Sequence, residues 1–436
     1  MQFTPRLKHY IASAIVTSGM ILSATTYAGA FQLWEQDASD TSNYHAGAAA
    51  EADRAGTEFY NPAGMTRLKH QEVSMGGAMI DVNATFNGNI GATPPLLPVT
   101  DASGDSANIV PNFHYVLPFA NDWAFGLGIT SPFGLETDYD SLNPAGALAT
   151  KTELLSVNVN PSVAYQINHY LSLGVGFDAL YGRATYDSNP LQQVFPTGYE
   201  VNNKLDGTGY GYNLGALVQF TPATRVGLSY RSAITIDAKG HSSSAIPTFS
   251  FTTFTFVPQA LSSSVSAKFN LPATTTMSIY HDMSSRWDVM ASTFYTQWSV
   301  FNQLVLNNVS TPLGVQTITV NEKYRDTWNF AVGSRYKVFK HLWLDGGLGH
   351  DETPTRDTYR DIRLPDGDRY ALSLGFDVQP KEGVMWSTGW THFFIPNVAI
   401  NNSQSTAASS GLPVGVGTEK GEVNVIGMQL SFDIDR

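Results

Sequence analysis

The chain has 436 residues, with 25 Lys and Arg against 37 Asp and Glu for a net charge of −12, and no cysteine. That acidity, without any basic stripe, argues against nucleic acid as a partner, and the missing thiols exclude disulfide frameworks and thiolate metal sites. Charged residues make up only 14%, yet mean hydropathy is −0.12 and no segment after the N-terminus approaches the roughly eighteen apolar residues of a spanning helix.

Arg6, Lys8 and His9 precede a short apolar run from Ile11 to Ala24, and Ala28-Gly29-Ala30 offers the small residues that signal peptidase selects. A signal peptide is expected over residues 1–28, with cleavage after Ala30 the alternative. The run is too short, and wrongly flanked, for a membrane span. Residues 29–71 lack two-residue alternation and are rich in Ala, Gly, Asp and Asn, yet carry Phe31, Leu33, Trp34, Phe59 and Tyr60. Those apolar residues favour an N-terminal hatch, or plug, over a free tail.

From Glu72 onward apolar and polar residues alternate with period two. Leu171, Leu173, Val175, Phe177, Ala179 and Tyr181 share one face, with Ser172, Gly174, Gly176 and Asp178 on the other. The pattern returns at Leu155–Val159, Tyr370–Val378 and Ile426–Phe432, and each stretch reads as a strand with one oily face. A soluble sandwich gives the same local signal with its oily face turned inward. The connections separate the two: tight turns at Phe119–Asp122, Asn168–Tyr170, Thr221–Thr224, Asp282–Ser285, Val338–His341 and Pro380–Gly383 alternate with long segments near 87–108, 134–151, 188–206, 240–260, 302–317, 353–368 and 401–419. Short turns on one side and long loops on the other are the asymmetry of outer-membrane barrels. The predicted architecture is all-β: residues 72–436 form a 14-stranded antiparallel transmembrane barrel, with both termini on the periplasmic side. Trp123, Tyr165, Tyr170, Tyr336, Trp343 and Trp386 sit beside the short turns, where an interfacial aromatic girdle belongs.

Several motifs, in order along the mature chain, resemble the FadL family of outer-membrane transporters for long-chain fatty acids and other hydrophobic compounds. They are Gly29-Ala30-Phe31-Gln32-Leu33, Asn61-Pro62-Ala63, Ser131-Pro132-Phe133-Gly134-Leu135, Gly227-Leu228-Ser229-Tyr230-Arg231-Ser232, Asn270-Leu271-Pro272-Ala273, Tyr324-Arg325-Asp326-Thr327-Trp328, Asp351-Glu352-Thr353-Pro354 and Arg363-Leu364-Pro365-Asp366-Gly367-Asp368-Arg369. The resemblance implies a fourteen-stranded barrel with a hatch. It also implies a route in which ligand binds among outer loops, moves to a lumenal site and leaves sideways beside a kinked third strand. Here that strand is Trp123 to Phe133. Gly126 and Gly128 either permit its inward bend or face a crowded plug, since strand glycine serves both ends. Asn61-Pro62-Ala63 is expected as a rigid turn against the inner face of that strand, because Pro62 fixes its own φ and biases Asn61 away from the helical region.

Phe249, Phe251, Phe254 and Phe256 in one loop, and Leu191, Val194 and Phe195 in another, form the outer-loop capture candidates, since apolar residues exposed at this density mark a binding surface or a packed sub-cluster. The resemblance places the outer ligand site between these loops. A fatty acid also needs a cation for its carboxylate. Strand phase turns Arg225, Arg231, Arg325 and Arg335 inward and Arg183 outward toward lipid head groups. Arg231 and Arg325, with Phe31, are the lumenal ligand-binding candidates. The competing reading pairs lumenal arginines with acids such as Asp178 or, in the plug, Asp53. No G-x-S-x-G and no H-E-x-x-H appears, so no enzyme activity and no cofactor or metal are expected. The expected partners are a long-chain fatty acid or other hydrophobic small molecule and the lipid and lipopolysaccharide around a monomer. Uptake of neutral aromatic hydrocarbons is one alternative function, and a general-diffusion or structural barrel is another.

Overall fold

Residues 29–91, 96–195, 197–404 and 413–435 are described in the computed structural model, so the expected signal peptide lies outside the described residues. The alternating stretches form fourteen spans, seven of them interrupted once. They are β1 (Glu72–Gly91), β2 (Leu97–Ser103 with Ser106–Phe119), β3 (Trp123–Thr130 with Gly134–Asp138), β4 (Lys151–Asn168), β5 (Leu171–Asp187), β6 (Asn202–Thr221) and β7 (Thr224–Arg231 with Ile234–Ser250). There follow β8 (Thr255–Leu271 with Thr274–Ser284), β9 (Trp287–Thr296 with Gln303–Thr311), β10 (Gly314–Asn321 with Thr327–Phe339), β11 (Leu342–Asp351), β12 (Arg369–Lys381), β13 (Val384–Phe394 with Val398–Asn401) and β14 (Val414–Asp433). Neighbours pair antiparallel throughout. The ladder from Glu72↔Asp433 to Gly91↔Val414 closes β14 onto β1, which removes the free edges a membrane cannot tolerate.

Side-chain phase follows the sequence. Leu173, Val175, Phe177 and Tyr181 stand exposed on the outside, where lipid covers them, while Ser172 and Asp178 are buried within. Trp123, Tyr165, Tyr170, Tyr336 and Trp386 are exposed beside the short turns. Trp343 is half-buried, with the Lys337 ammonium 4.7 Å over its ring.

Three segments expected as loops are largely strand. Ile234–Ser250 and Thr255–Leu271 pair along their full lengths around residues 251–254, and Gln303–Thr311 pairs with Gly314–Asn321. Leu97–Ser103 likewise folds back on the outer end of β1. Ser- and Pro-rich composition suggested loops, yet Thr248-Phe249-Ser250 and Thr255-Phe256-Val257 are strong strand formers. Such sequences continue a ladder into water as readily as lipid-facing ones do. From Ser242 to Ala267 this hairpin carries no charged residue.

The seam between β2 and β3 parts. β3 follows β2 only from Phe119↔Trp123 to Phe113↔Ile129. Beyond a break at Ser131-Pro132-Phe133, Gly134–Asp138 pairs with β4, while β2 outward of Phe113 pairs with β1. Pro132 has no amide hydrogen to continue a ladder. The N-terminal segment takes up the loose ends: Leu33 N donates to Pro132 O at 2.9 Å and Gly134 N to Phe31 O at 2.9 Å. The Gln36 amide bonds both the N–H and the carbonyl of Ser131, at 2.7 and 2.8 Å.

Candidate ligand-conducting site

Residues 29–71 are almost wholly buried and bonded to the inner wall. Gly47 N donates to Ser292 Oγ at 2.8 Å, Ala49 N to Ser278 Oγ at 3.1 Å, and Thr391 Oγ1 to Thr41 O at 2.8 Å. Near the periplasmic end a charge cluster joins it to the wall. Arg335 reaches Asp345 at 2.7 Å, Asp53 at 2.9 Å, Asp377 at 3.2 Å, and also Glu51. Arg54 pairs with Asp377. Arg225 donates to Ala50 O at 2.6 Å and lies 3.6 Å over the Tyr280 ring.

The two arginines singled out from strand phase are not a pair. Arg231 faces the lumen, but it is bound to fully buried Asp178, donates to Phe59 O at 2.8 Å and sits 4.3 Å over the Phe59 ring. Arg325 does not face the lumen. It falls in the interruption of β10, where period-two phase no longer applies; its side chain is 48% exposed, and it reaches Thr353 O at 3.0 Å and Asp368 at 3.5 Å. The competing reading, lumenal arginine with Asp178 or Asp53, describes both Arg231 and Arg335.

Asn61-Pro62-Ala63 forms a capped turn, with Asn61 Oδ1 accepting from Ala63 N at 3.1 Å. It does not lie against β3. Asn61 Nδ2 donates to Ala216 O at 3.0 Å, and Pro62 and Ala63 press on Gly174 and Gly215, where an added Cβ would fall within 2.5 and 2.1 Å of the turn. Small residues on β5 and β6, a signal present in the sequence, make that seat. Gly126 and Gly128 face Met65 and Glu58 at similarly close range. They admit the crowded N-terminal segment, and the strand breaks farther on. Glu58 also meets His114 of β2 at 3.0 Å, whose other ring nitrogen contacts Gln36 O at 2.8 Å. Sequence reading missed this buried pair, because the two residues lie in different elements.

Two cavities flank the start of the N-terminal segment. The inner one is lined by Leu33, Trp34, Phe59, Pro132, Asp178 and Arg231 among others. The outer one is lined by Phe31, Leu135, Leu205, Phe269, Phe301, Leu304, Leu306 and Tyr324, with Glu153, Glu322 and Arg363. Phe31 packs edge-on against Trp298 and Phe301, with ring centroids 4.7 and 5.2 Å apart. A spanning strand needs about 9–11 residues, which brings β5 to exposed Tyr181 and β10 to exposed Trp328. Tyr186, Glu322 and Tyr324 therefore lie outward of the membrane, and so does the outer chamber.

Beyond it stand the aromatic loops. Phe195 meets Phe256 at 5.7 Å, and Phe249 gathers Phe251 and Phe256 at 5.2 and 5.6 Å. Phe251 and Phe254 remain 80% and 77% exposed, as does Val194 at 68%; Leu191 is half-buried. Phe254 holds φ 53°, a conformation glycine adopts far more cheaply.

The family model for "Outer membrane protein transport protein (OMPP1/FadL/TodX)" matches residues 19–434. The chain belongs to this family. A "Long-chain fatty acid transport protein" of Salmonella typhi is 29% identical over 424 residues, covering 92% of this chain and 96% of the relative. Among solved structures, a Pseudomonas aeruginosa FadL homologue superposes with a TM-score of 0.80 at 21% identity, covering 93% of this chain and 99% of that one. The Ralstonia pickettii toluene transporter TbuX superposes at 0.67 and 18% identity, covering 90% and 97%. The protein is thus a FadL-type outer-membrane β-barrel.

Proposed function

We propose that the barrel takes up long-chain fatty acids or closely related single-chain amphiphiles, without catalysis, as a monomer in an outer membrane bearing lipopolysaccharide. The outer chamber carries this reading. It is walled mainly by aliphatic and aromatic side chains with a few polar groups among them, the lining typical of small-molecule sites, and it lies between the exposed phenylalanines and the parted β2–β3 seam. On this reading Phe249, Phe251, Phe254 and Phe256, with Leu191, Val194 and Phe195, capture ligand. Phe31 separates the chambers, the N-terminal segment is the hatch, and the seam is the exit. The fatty-acid relatives at nearly full length support an acid as substrate.

One observation favours the neutral-hydrocarbon reading instead: Glu153 and Glu322 line the chamber, and neither attracts a carboxylate. Purified barrel in liposomes separates the readings. Saturable oleate uptake with slow sugar entry is expected. Toluene uptake without oleate uptake would select the hydrocarbon reading, and brisk sugar entry would make the barrel a general porin.

A further inference from the structure

The outer chamber is so apolar that the charged groups on its wall deserve separate accounting. Among its described lining residues these are Glu153, Glu322 and Arg363. Glu153 is offset by Arg183 at 3.0 Å and Lys151 at 3.4 Å. Glu322, outward of the membrane, is pushed up to about 8 by burial, with Asp361 adding to the rise and Arg363 opposing it, so its surroundings disfavour a negative charge there. Arg363 remains. Its Nη1 donates to Asp361 at 2.7 Å, its Nη2 donates to Leu148 O, and its guanidinium lies 4.5 Å over the Tyr186 ring. Its Nε is buried without a hydrogen-bond partner, although a guanidinium offers five donors in a planar fork.

Asp361 does not line this chamber. It lies toward two adjoining cavities, where its carboxylate also accepts from Asn402 Nδ2 at 2.9 Å and from the Arg363 amide at 3.0 Å. Arg363 lines those two cavities as well, but of this pair only Arg363 also lines the apolar chamber. We propose that Arg363 is the head-group receptor of this chamber, binding the carboxylate of a single-chain amphiphile whose tail lies along Phe31, Leu205, Phe269 and Leu306. This assignment rests on the transport reading above and gives it a cation on the wall of the outer chamber, which neither Arg231 nor Arg325 lines.

The test compares oleate with oleyl alcohol, which shares its tail but has no charge, on barrels whose gel mobility shifts on boiling as for the wild type. Arg363→Gln should weaken oleate binding roughly tenfold or more, the range of a charge-assisted hydrogen bond, while the alcohol is spared. Arg363→Lys should recover most of the loss. Equal loss for both ligands would show that Arg363 only braces its loop through Leu148, and no loss for either would show that it does not meet the ligand; each overturns the assignment. Leu306→Trp, which fills the chamber, should weaken both ligands. If it weakens neither, the chamber is not the binding site and the transport reading falls along with the assignment.

Discussion

The two ends of the lumen are built from opposite chemistry. Toward the periplasm, Arg335, Arg54 and Arg225 hold Asp53, Glu51, Asp345, Asp377 and the carbonyl of Ala50. Toward the outside, Phe31, Phe269, Phe301, Leu304 and Leu306 leave a chamber unfilled. Charge-assisted bonds are strong and directional, so they suit a segment that must stay put in a wet lumen. Apolar walls have no such geometry to satisfy, so they suit a site that empties and refills. On the proposed reading, the lumen is sealed with charge where it must hold and lined with hydrocarbon where it must let go.

The sharpest way to break this contrast is to remove the seal. A fourteen-stranded barrel encloses a wide lumen, so deleting residues 31–65 should raise sugar entry into liposomes by about tenfold or more. The barrel should still show its heat-dependent gel shift. Unchanged sugar entry would mean that the N-terminal segment closes nothing. A smaller effect comes from Arg335→Leu, which leaves Asp345, Asp377 and Glu51 with less compensation. Breaking a buried pair in this way costs about 3–5 kcal/mol, and it should appear as a lower denaturation midpoint and a partial sugar leak. If the midpoint stays put, the cluster is not what anchors the segment. The smallest effect belongs to the outer end. Phe251→Ser with Phe254→Ser should leave stability within about 0.5 kcal/mol of wild type while slowing oleate uptake at limiting concentration. Full-speed uptake would remove these side chains from the capture step.

The barrel was legible in the sequence because lipid imposes a strict rule: residues such as Leu173, Val175 and Phe177 must alternate with Ser172, Gly174 and Gly176, and each short turn resets the phase. Strand phase also turned Arg231 and Arg335 inward correctly. It failed at Arg325, since the interruption of β10 before Thr327 ends the two-residue period. The ladder in residues 240–260 was missed because outward of the membrane nothing forces apolar residues onto one face, and Ser and Thr then resemble loop. Arg363 lay in a quoted motif, but its place on the chamber wall depends on a loop folding back over Leu148, a contact between residues 215 positions apart. The seat of Asn61-Pro62-Ala63 on Gly174 and Gly215, not on β3, is likewise a matter of packing between distant elements.

The hairpin from Ser242 to Ala267 has one more consequence. At physiological salt, charges are screened over about 8 Å, and charged surfaces gather partners at rates that fall as ionic strength rises. A probe made only of Ser, Thr, Pro, Gln and apolar residues has no charge of its own for salt to screen. An encounter at its tip gains nothing from a local charge, so the tip itself offers salt nothing to weaken.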